Sequence, residues 1–159
     1  MDKMRESMFS ILGNLNGFSF LDLFSGSGVI GIEAASRGAS SVTFVEVDRV
    51  KKNILFENAK IAENSKTDIF IMPVERFILS TKSKFDIIFL DPPFPLKKKQ
   101  KLLELISKKK VLSPHGLVMI HHPAEEKWQD EIYTLKLEDK RKYGRSVLLF
   151  FRDTCDNLQ

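Results

Sequence analysis

Four consecutive residues, Asp91-Pro92-Pro93-Phe94, stand directly after the run Phe85-Asp86-Ile87-Ile88-Phe89-Leu90. That run is apolar nearly throughout, as in a strand buried on both faces, and the residues after such a strand lie where α/β sheets place their ligands. Two prolines fix the backbone and present carbonyl oxygens that no proline N–H can neutralise. Asp91 and the Pro92 carbonyl are then two acceptors suited to an NH2 group. Phe94 offers a ring face to a planar base, a stack worth about 1–3 kcal/mol in single-strand complexes. An exocyclic amine needs such help, because its lone pair is delocalised into its ring. Acceptors on both N–H groups draw the nitrogen toward sp3 character and aim the lone pair at an electrophile, so orientation would supply most of the acceleration. Asp91, Pro92 and Phe94 are the candidate catalytic residues for methylation of an amine.

The electrophile has its own candidate site upstream, in Phe18 to Ala35 (FSFLDLFSGSGVIGIEAA). An apolar strand, Phe20 to Phe24, runs into Ser25-Gly26-Ser27-Gly28 and then into a helical pattern that includes Gly31. Strand, glycine turn and helix open a βαβ unit, where the chain reverses tightly and its backbone approaches a ligand with no Cβ in the way. Asp22 is an acid inside this apolar strand, and a buried carboxylate is costly unless it is hydrogen-bonded or faces a cation. The amino-acid end of S-adenosylmethionine supplies a cation; NAD presents phosphates there instead. Glu46, about 20 residues past the turn, can accept two hydrogen bonds from ribose hydroxyls. Phe24, Ser25, Gly26, Gly28 and Val74 complete the candidate cofactor-binding set with Asp22 and Glu46.

The elements that position these residues follow from apolar periodicity. Residues 2–12 read as a helix with Met4, Met8, Ile11 and Leu12 on one face. Strands are expected at 42–47, 69–72, 85–90 and 117–121, with helices at 49–63, 75–79 and 102–106. In the 49–63 helix, Val50, Ile54, Leu55 and Ala59 form the apolar face. Residues 113–116 read as a turn. Residues 132–137 and 146–152 read as strands joined through a turn at Lys140–Arg145, an antiparallel hairpin. His121 and His122 are adjacent strand residues and point to opposite faces; with no carboxylate or cysteine cluster to complete a site, no metal is expected.

The 159 residues suit one domain, 1–159, with an N-terminal helical segment at 1–17 and a polar tail at 153–159. The formal net charge of +4 favours a polyanionic partner, and the cations cluster: Lys97, Lys98, Lys99 and Lys101; Lys108 to Lys110; Lys140, Arg141, Lys142 and Arg145. Lys140, Arg141, Lys142, Arg145 and Arg5 are the candidate residues for that contact, which the family resemblance described next would make RNA-binding. One cysteine, Cys155, allows no internal disulfide and suits a reducing cytosol. No signal-peptide core is visible, and no apolar run approaches the roughly 20 residues that span a bilayer. A cytoplasmic protein with no membrane contact is expected.

At this point the sequence resembles a family. Asp22-Leu23-Phe24-Ser25-Gly26-Ser27-Gly28, Glu46 and Asp91-Pro92-Pro93-Phe94 are similar to the bacterial 16S ribosomal RNA guanine-N2 methyltransferases that modify the small subunit. The segment Asp2 to Phe9 and the hairpin Lys142-Tyr143-Gly144 resemble theirs too. The resemblance implies an α/β, Rossmann-like class I methyltransferase with a seven-stranded, mostly parallel sheet, an antiparallel last strand and helices on both faces. It implies S-adenosylmethionine near Asp22, Gly26, Gly28 and Glu46, a target guanine at Asp91 and Phe94, and 16S rRNA or the small ribosomal subunit as the partner of a monomer. Members of the family usually carry a further N-terminal segment, including a β-hairpin implicated in RNA contact, before the point where this sequence starts. Pro73 stands where they tend to place Asp or Asn against the adenine amine.

Other chemistries share the tetrapeptide. DNA amino-methyltransferases usually need a target-recognition domain, and protein glutamine methyltransferases more often carry Asn at the position of Asp91. A non-catalytic nucleotide-binding module and a basic RNA-binding protein without cofactor are the readings from other classes; Asp22 and Asp91 argue against the first.

Overall fold

The computed structural model describes residues 2–154. Cys155 and most of the expected polar tail lie outside the described residues. The chain divides into two compact units, Met1–Phe77 and Ile78–Gln159.

The first unit contains α1 (Asp2–Leu12), β1 (Ser19–Leu23), α2 (Val29–Ser36), β2 (Ser41–Glu46), a 3-10 turn (Arg49–Lys51), α3 (Lys52–Ala59) and β3 (Lys66–Ile71), and α4 (Val74–Ser80) begins within it. Its strands are parallel in the order β3-β2-β1. β1 and β2 are buried along almost their whole length, so they read as continuous apolar runs rather than alternating ones. β3 alternates, exposing Lys66, Asp68 and Phe70. On α1 the buried side chains are Met4, Met8 and Phe9, with Phe9 stacked on Phe20 at 6.3 Å between centroids. Ile11, expected on that face, is exposed. The expected face of the third helix also needs correction: Leu55 and Ala59 are buried, while Val50 is 89% and Ile54 52% exposed. The segment opens as a 3-10 turn, its first N–H groups organised by the Asp48 side chain, which accepts from Val50 N at 3.0 Å. The change of pitch rotates Val50 away from the face that Leu55 and Ala59 share.

The second unit contains β4 (Phe85–Leu90), α5 (Leu96–Lys108), β5 (Leu112–Pro123), β6 (Glu131–Ile132), β7 (Leu135–Tyr143) and β8 (Ser146–Asp153). The strand order is β4-β5-β8-β7-β6. β4 and β5 are parallel, and β8, the last strand, runs antiparallel to both β5 and β7. The described residues hold eight strands where seven were expected, because the predicted strand 132–137 is broken. Tyr133 takes a left-handed φ of 53°, and the Thr134 N–H is taken by the Ser107 hydroxyl at 3.1 Å. Ile132 therefore folds back to pair with Leu135.

Two expected turns are displaced. Residues 113–116 lie within β5 as an irregularity, where the register jumps from Phe85↔Leu112 to Ile87↔Leu117. Lys140 to Tyr143 belong to β7, and only Gly144 and Arg145 turn the hairpin, with Tyr143 paired to Ser146. Gly144 has φ 60°, the conformation two-residue hairpin turns require of a central residue.

Candidate functional site

In the first unit the glycine turn follows β1. Phe24 leaves the strand with a left-handed φ of 59°, rare for a bulky side chain, and Gly26 and Gly28 follow at 58° and 88°. Ser25 braces the turn against β2. Its N–H donates to the Val45 carbonyl at 3.0 Å, its Oγ donates to the Asp22 carbonyl at 2.6 Å, and the Val45 N–H donates to that Oγ at 3.1 Å. The serine hydroxyl is thus committed to backbone.

The glycines do separate jobs. A Cβ on Gly31 would meet the Phe44 ring at 2.4 Å and Val42 at 2.9 Å, and one on Gly28 would meet Leu55 at 2.8 Å. Those two let α2 and α3 close down on β2. A Cβ on Gly26 would meet nothing within 4 Å. Its side faces open space, as expected of a backbone that a ligand approaches.

Asp22 and Glu46 are both buried. Asp22 Oδ2 accepts from Gly31 N at 3.1 Å. Gly31 is the third residue of α2, whose N-cap, Gly28, offers no side chain. Asp22 thus satisfies one of the orphan N–H groups of that helix and sits favourably at the positive end of its dipole. Glu46 is held at both oxygens, Oε1 by Gly26 N at 2.7 Å and Oε2 by Asp48 N at 2.8 Å. Its two backbone bonds and its burial make Glu46 structural as well as a candidate ribose acceptor. Each oxygen keeps lone-pair capacity for a further donor. The open side of Gly26 and this remaining capacity fit a ribose-bearing cofactor such as S-adenosylmethionine. Val74 is buried at the start of α4, two residues beyond Met72, whose N–H bonds the Glu46 carbonyl at 3.0 Å. Pro73 between them carries no side-chain acceptor.

In the second unit Asp91 follows β4, and its side chain is 38% exposed. Pro92 is buried, Pro93 exposed and Phe94 half-buried, and Pro95 is the N-cap of α5. Lys98, from the first turn of α5, sets its Nζ 4.4 Å from the Phe94 ring centroid, a cation–π contact on a candidate stacking surface. The neighbouring Lys99, read from sequence as part of a surface cluster, is buried. Its Nζ lies 3.0 Å from both carboxylate oxygens of Glu126. Only Lys97, Lys98 and Lys101 of that cluster are exposed.

Sequence reasoning missed His121. Its Nδ1 lies 2.8 Å from Asp91 Oδ1. The pairing depends on strand register: β4 and β5 are parallel with Leu90 opposite Ile120, so the next residues, Asp91 and His121, come level. His122 has other company, with Nδ1 2.7 Å from the Pro123 carbonyl and the ring 5.6 Å from that of Trp128. Burial pushes the His122 imidazole below its usual pKa. Trp128 packs between His122 and Phe151 and extends Nε1 toward Glu126 at 3.4 Å. Among the described residues no group of three or more His, Cys, Asp or Glu side chains gathers as a metal site requires.

Of the candidate RNA-binding residues, Lys140, Arg141 and Lys142 lie on β7 and Arg145 in the turn, all exposed. Arg141 Nε pairs with Asp139 Oδ2 at 3.0 Å, while Lys140, Lys142 and Arg145 are exposed cations of the same hairpin. Arg5, half-buried on α1, belongs to the first unit. No helix of the described residues is long and apolar enough to cross a membrane.

Comparison with known proteins agrees with these motifs. The family described as conserved hypothetical protein 95 matches residues 1–152. "Putative rRNA methyltransferase YlbH" of Bacillus subtilis is 32% identical over 156 residues, covering 95% of this chain and 85% of that protein. "Ribosomal RNA small subunit methyltransferase D" of Haemophilus influenzae is 31% identical over 130 residues, covering 75% of this chain but 64% of its own length. The chain thus spans just under two thirds of that relative. The fold matches that of "Putative methyltransferase yhhF from Escherichia coli", with a TM-score of 0.90, 23% identity and coverage of 98% of this chain and 89% of that one. Its α/β architecture is that of a class I methyltransferase, and the chain belongs to the conserved hypothetical protein 95 family, the one its glycine turn and Asp-Pro-Pro-Phe motif resemble.

Proposed function

We propose that this chain transfers a methyl group from S-adenosylmethionine to the exocyclic N2 amine of a guanine in 16S ribosomal RNA. The observation that carries the reading is the partly exposed Asp91 carboxylate at the carboxyl end of β4, followed by two prolines and a half-buried aromatic ring. Two relatives named as rRNA methyltransferases support the substrate class. The cofactor is supported by Glu46, with lone-pair capacity left for ribose hydroxyls, and by the open side of Gly26.

When bound, S-adenosylmethionine supplies an electrophilic methyl group on a positively charged sulfur. Asp91 accepts one N–H of the amine, and the Pro92 carbonyl is the acceptor for the other. Phe94 stacks on the base, which must be unpaired or flipped to offer its amine. The amine must lose one proton on being methylated, and the Asp91 carboxylate would receive it. The exposed cations of the β7–β8 hairpin supply phosphate contacts. In this reading the two units serve one methyltransferase domain that acts in the cytoplasm as a monomer.

The test is incubation of labelled cofactor with small ribosomal subunits, naked 16S rRNA, DNA and a glutamine peptide, followed by nucleoside analysis. The expected product is N2-methylguanosine from ribosomal RNA. Label found only in DNA or peptide would replace the substrate, and no label in any of them would end the enzymatic reading.

A further inference from the structure

A carboxylate that must orient an amine has to be held still, and the sequence around Asp91 removes the usual means. An aspartate in a turn commonly anchors its side chain to a backbone N–H one or two residues on. Here those residues are Pro92 and Pro93, and neither has an N–H. Glu46 shows the alternative, with both of its oxygens held by backbone donors. Asp91 depends instead on a side chain from the neighbouring strand, His121 Nδ1 at 2.8 Å.

We infer that His121 is a positioning residue for the proposed reaction, donating from Nδ1–H to Asp91 Oδ1 and so presenting Oδ2 to the substrate amine. The inference rests on the methyltransferase reading for its catalytic meaning, though not for the hydrogen bond itself. The tautomer follows from the partners. A carboxylate only accepts, so the hydrogen belongs on Nδ1. His121 Nε2 is buried and has no partner among the described residues. In the Nδ1–H tautomer this atom is an unpaired acceptor; in the other it would be an unpaired buried N–H, the rarer and costlier condition. One proton placement therefore satisfies Asp91 and leaves the smaller defect.

The register makes the contact rigid. Leu90 and Ile120 are paired strand residues, and both are fully buried. Asp91 and His121 occupy the next step, on a backbone already fixed by the ladder behind them and by the prolines ahead. A side chain fixed on a strand orients its partner more tightly than one on a loop.

The experiment compares wild type, His121→Leu and His121→Asn in the labelled-cofactor assay. It is accompanied by 15N spectroscopy of the imidazole in the wild-type protein without ligand. Leucine fills the space without a donor, whereas the asparagine amide nitrogen can occupy the Nδ1 place. His121→Leu should lower kcat by about 10- to 100-fold, the scale on which a small misplacement costs rate, with KM for RNA and Kd for S-adenosylmethionine within about twofold of wild type. His121→Asn should recover most of that loss. A wild-type kcat in the leucine variant, or equal damage from both substitutions, overturns the inference while leaving the enzymatic reading intact. The spectra should show a proton on Nδ1 whose resonance moves in Asp91→Ala; an unprotonated Nδ1 overturns the inference even if leucine prevents folding or the wild type methylates nothing. Methylation of RNA by no preparation, with Nδ1 protonated as expected, would fault the function and leave the pair.

Discussion

The glycine turn after β1 and the Asp-Pro-Pro-Phe turn after β4 both end a buried parallel strand and both lie beside a carboxylate, but the carboxylates are secured by different means. Glu46 is buried and receives two backbone N–H groups at 2.7 and 2.8 Å. Asp91 is partly exposed and receives one histidine nitrogen. Backbone donors survive substitution of their own residue by anything but proline, so the first arrangement persists through most sequence changes nearby. A side-chain donor can be lost in one substitution. The first suits a cofactor bound the same way in every turnover, and the second a carboxylate that must meet an incoming amine and shed a proton.

The largest effect expected to separate the two is on Asp91. Asp91→Ala should lower kcat by at least about 10²-fold, as when an oriented transition-state contact is lost. Cofactor affinity measured by calorimetry should be unchanged, and so should thermal stability. Asp91→Asn is the sharper variant: clearly more activity than alanine means orientation dominates, and equal inactivity means the carboxylate must take the proton. Wild-type activity in Asp91→Ala would remove the distinction between the turns altogether.

Glu46→Ala should act on both binding and folding. Losing charged hydrogen bonds to the ribose should weaken S-adenosylmethionine by about 1.5–3 kcal/mol. The Gly26 and Asp48 N–H groups lose their acceptor at the same time, so stability should drop by about 1 kcal/mol or more. A Tm equal to wild type would show that the backbone bonds at this turn contribute nothing.

The glycines sharpen the contrast within the first unit. Gly31→Ala drives a methyl into the Phe44 ring and should cost about 1–3 kcal/mol of stability by overpacking. Gly26→Ala meets no atom and should cost about 1–2 kcal/mol from its left-handed backbone alone. Its larger consequence should appear in cofactor affinity. Equal loss of affinity in both variants, measured against their denaturation midpoints, would contradict the separate roles.

The smallest effect concerns the histidine next to the Asp91 partner. Burial lowers the folded-state pKa of His122, so below the unfolded value of about 6.5 the unfolded chain binds more protons than the folded one. The stability of wild type should therefore fall as pH drops below that value, down to the lowered folded pKa. In urea titrations His122→Phe should flatten that part of the profile. An identical slope in the variant would exclude His122 as its source.

Much of this was legible in the sequence because it depends on short stretches. Strand, glycine turn and helix are specified by residues 18–35, and β4 and its prolines by residues 85–95. The errors arose where a neighbour far along the chain decides. Lys99 is indistinguishable in sequence from Lys98, yet Glu126, 27 residues later, draws one inward while the Phe94 ring holds the other at the surface. Val50 was expected on the face of Leu55 and Ala59, but it lies in a 3-10 turn that rotates it off that face, and Ile54, one residue before Leu55 on the same helix, points elsewhere. The break at Tyr133 rests on a backbone angle that its residue type disfavours. His121 was weighed only as a metal ligand, and its partner lies 30 residues earlier.

Phe24 has a thermodynamic consequence of its own. A phenylalanine at φ 59° occupies a conformation that glycine or asparagine would adopt more cheaply, and such a residue costs on the order of 1–3 kcal/mol. The aromatic ring is therefore kept against the preference of its own backbone. The cost is borne by the folded protein, in the turn that would receive the cofactor. Saturation with a ligand that binds only the folded state stabilises it by about 2.7 kcal/mol at a hundred times Kd, comparable to that strain. The same turn would then make the melting temperature a gauge of free S-adenosylmethionine, with the first unit the part of the chain that reports it.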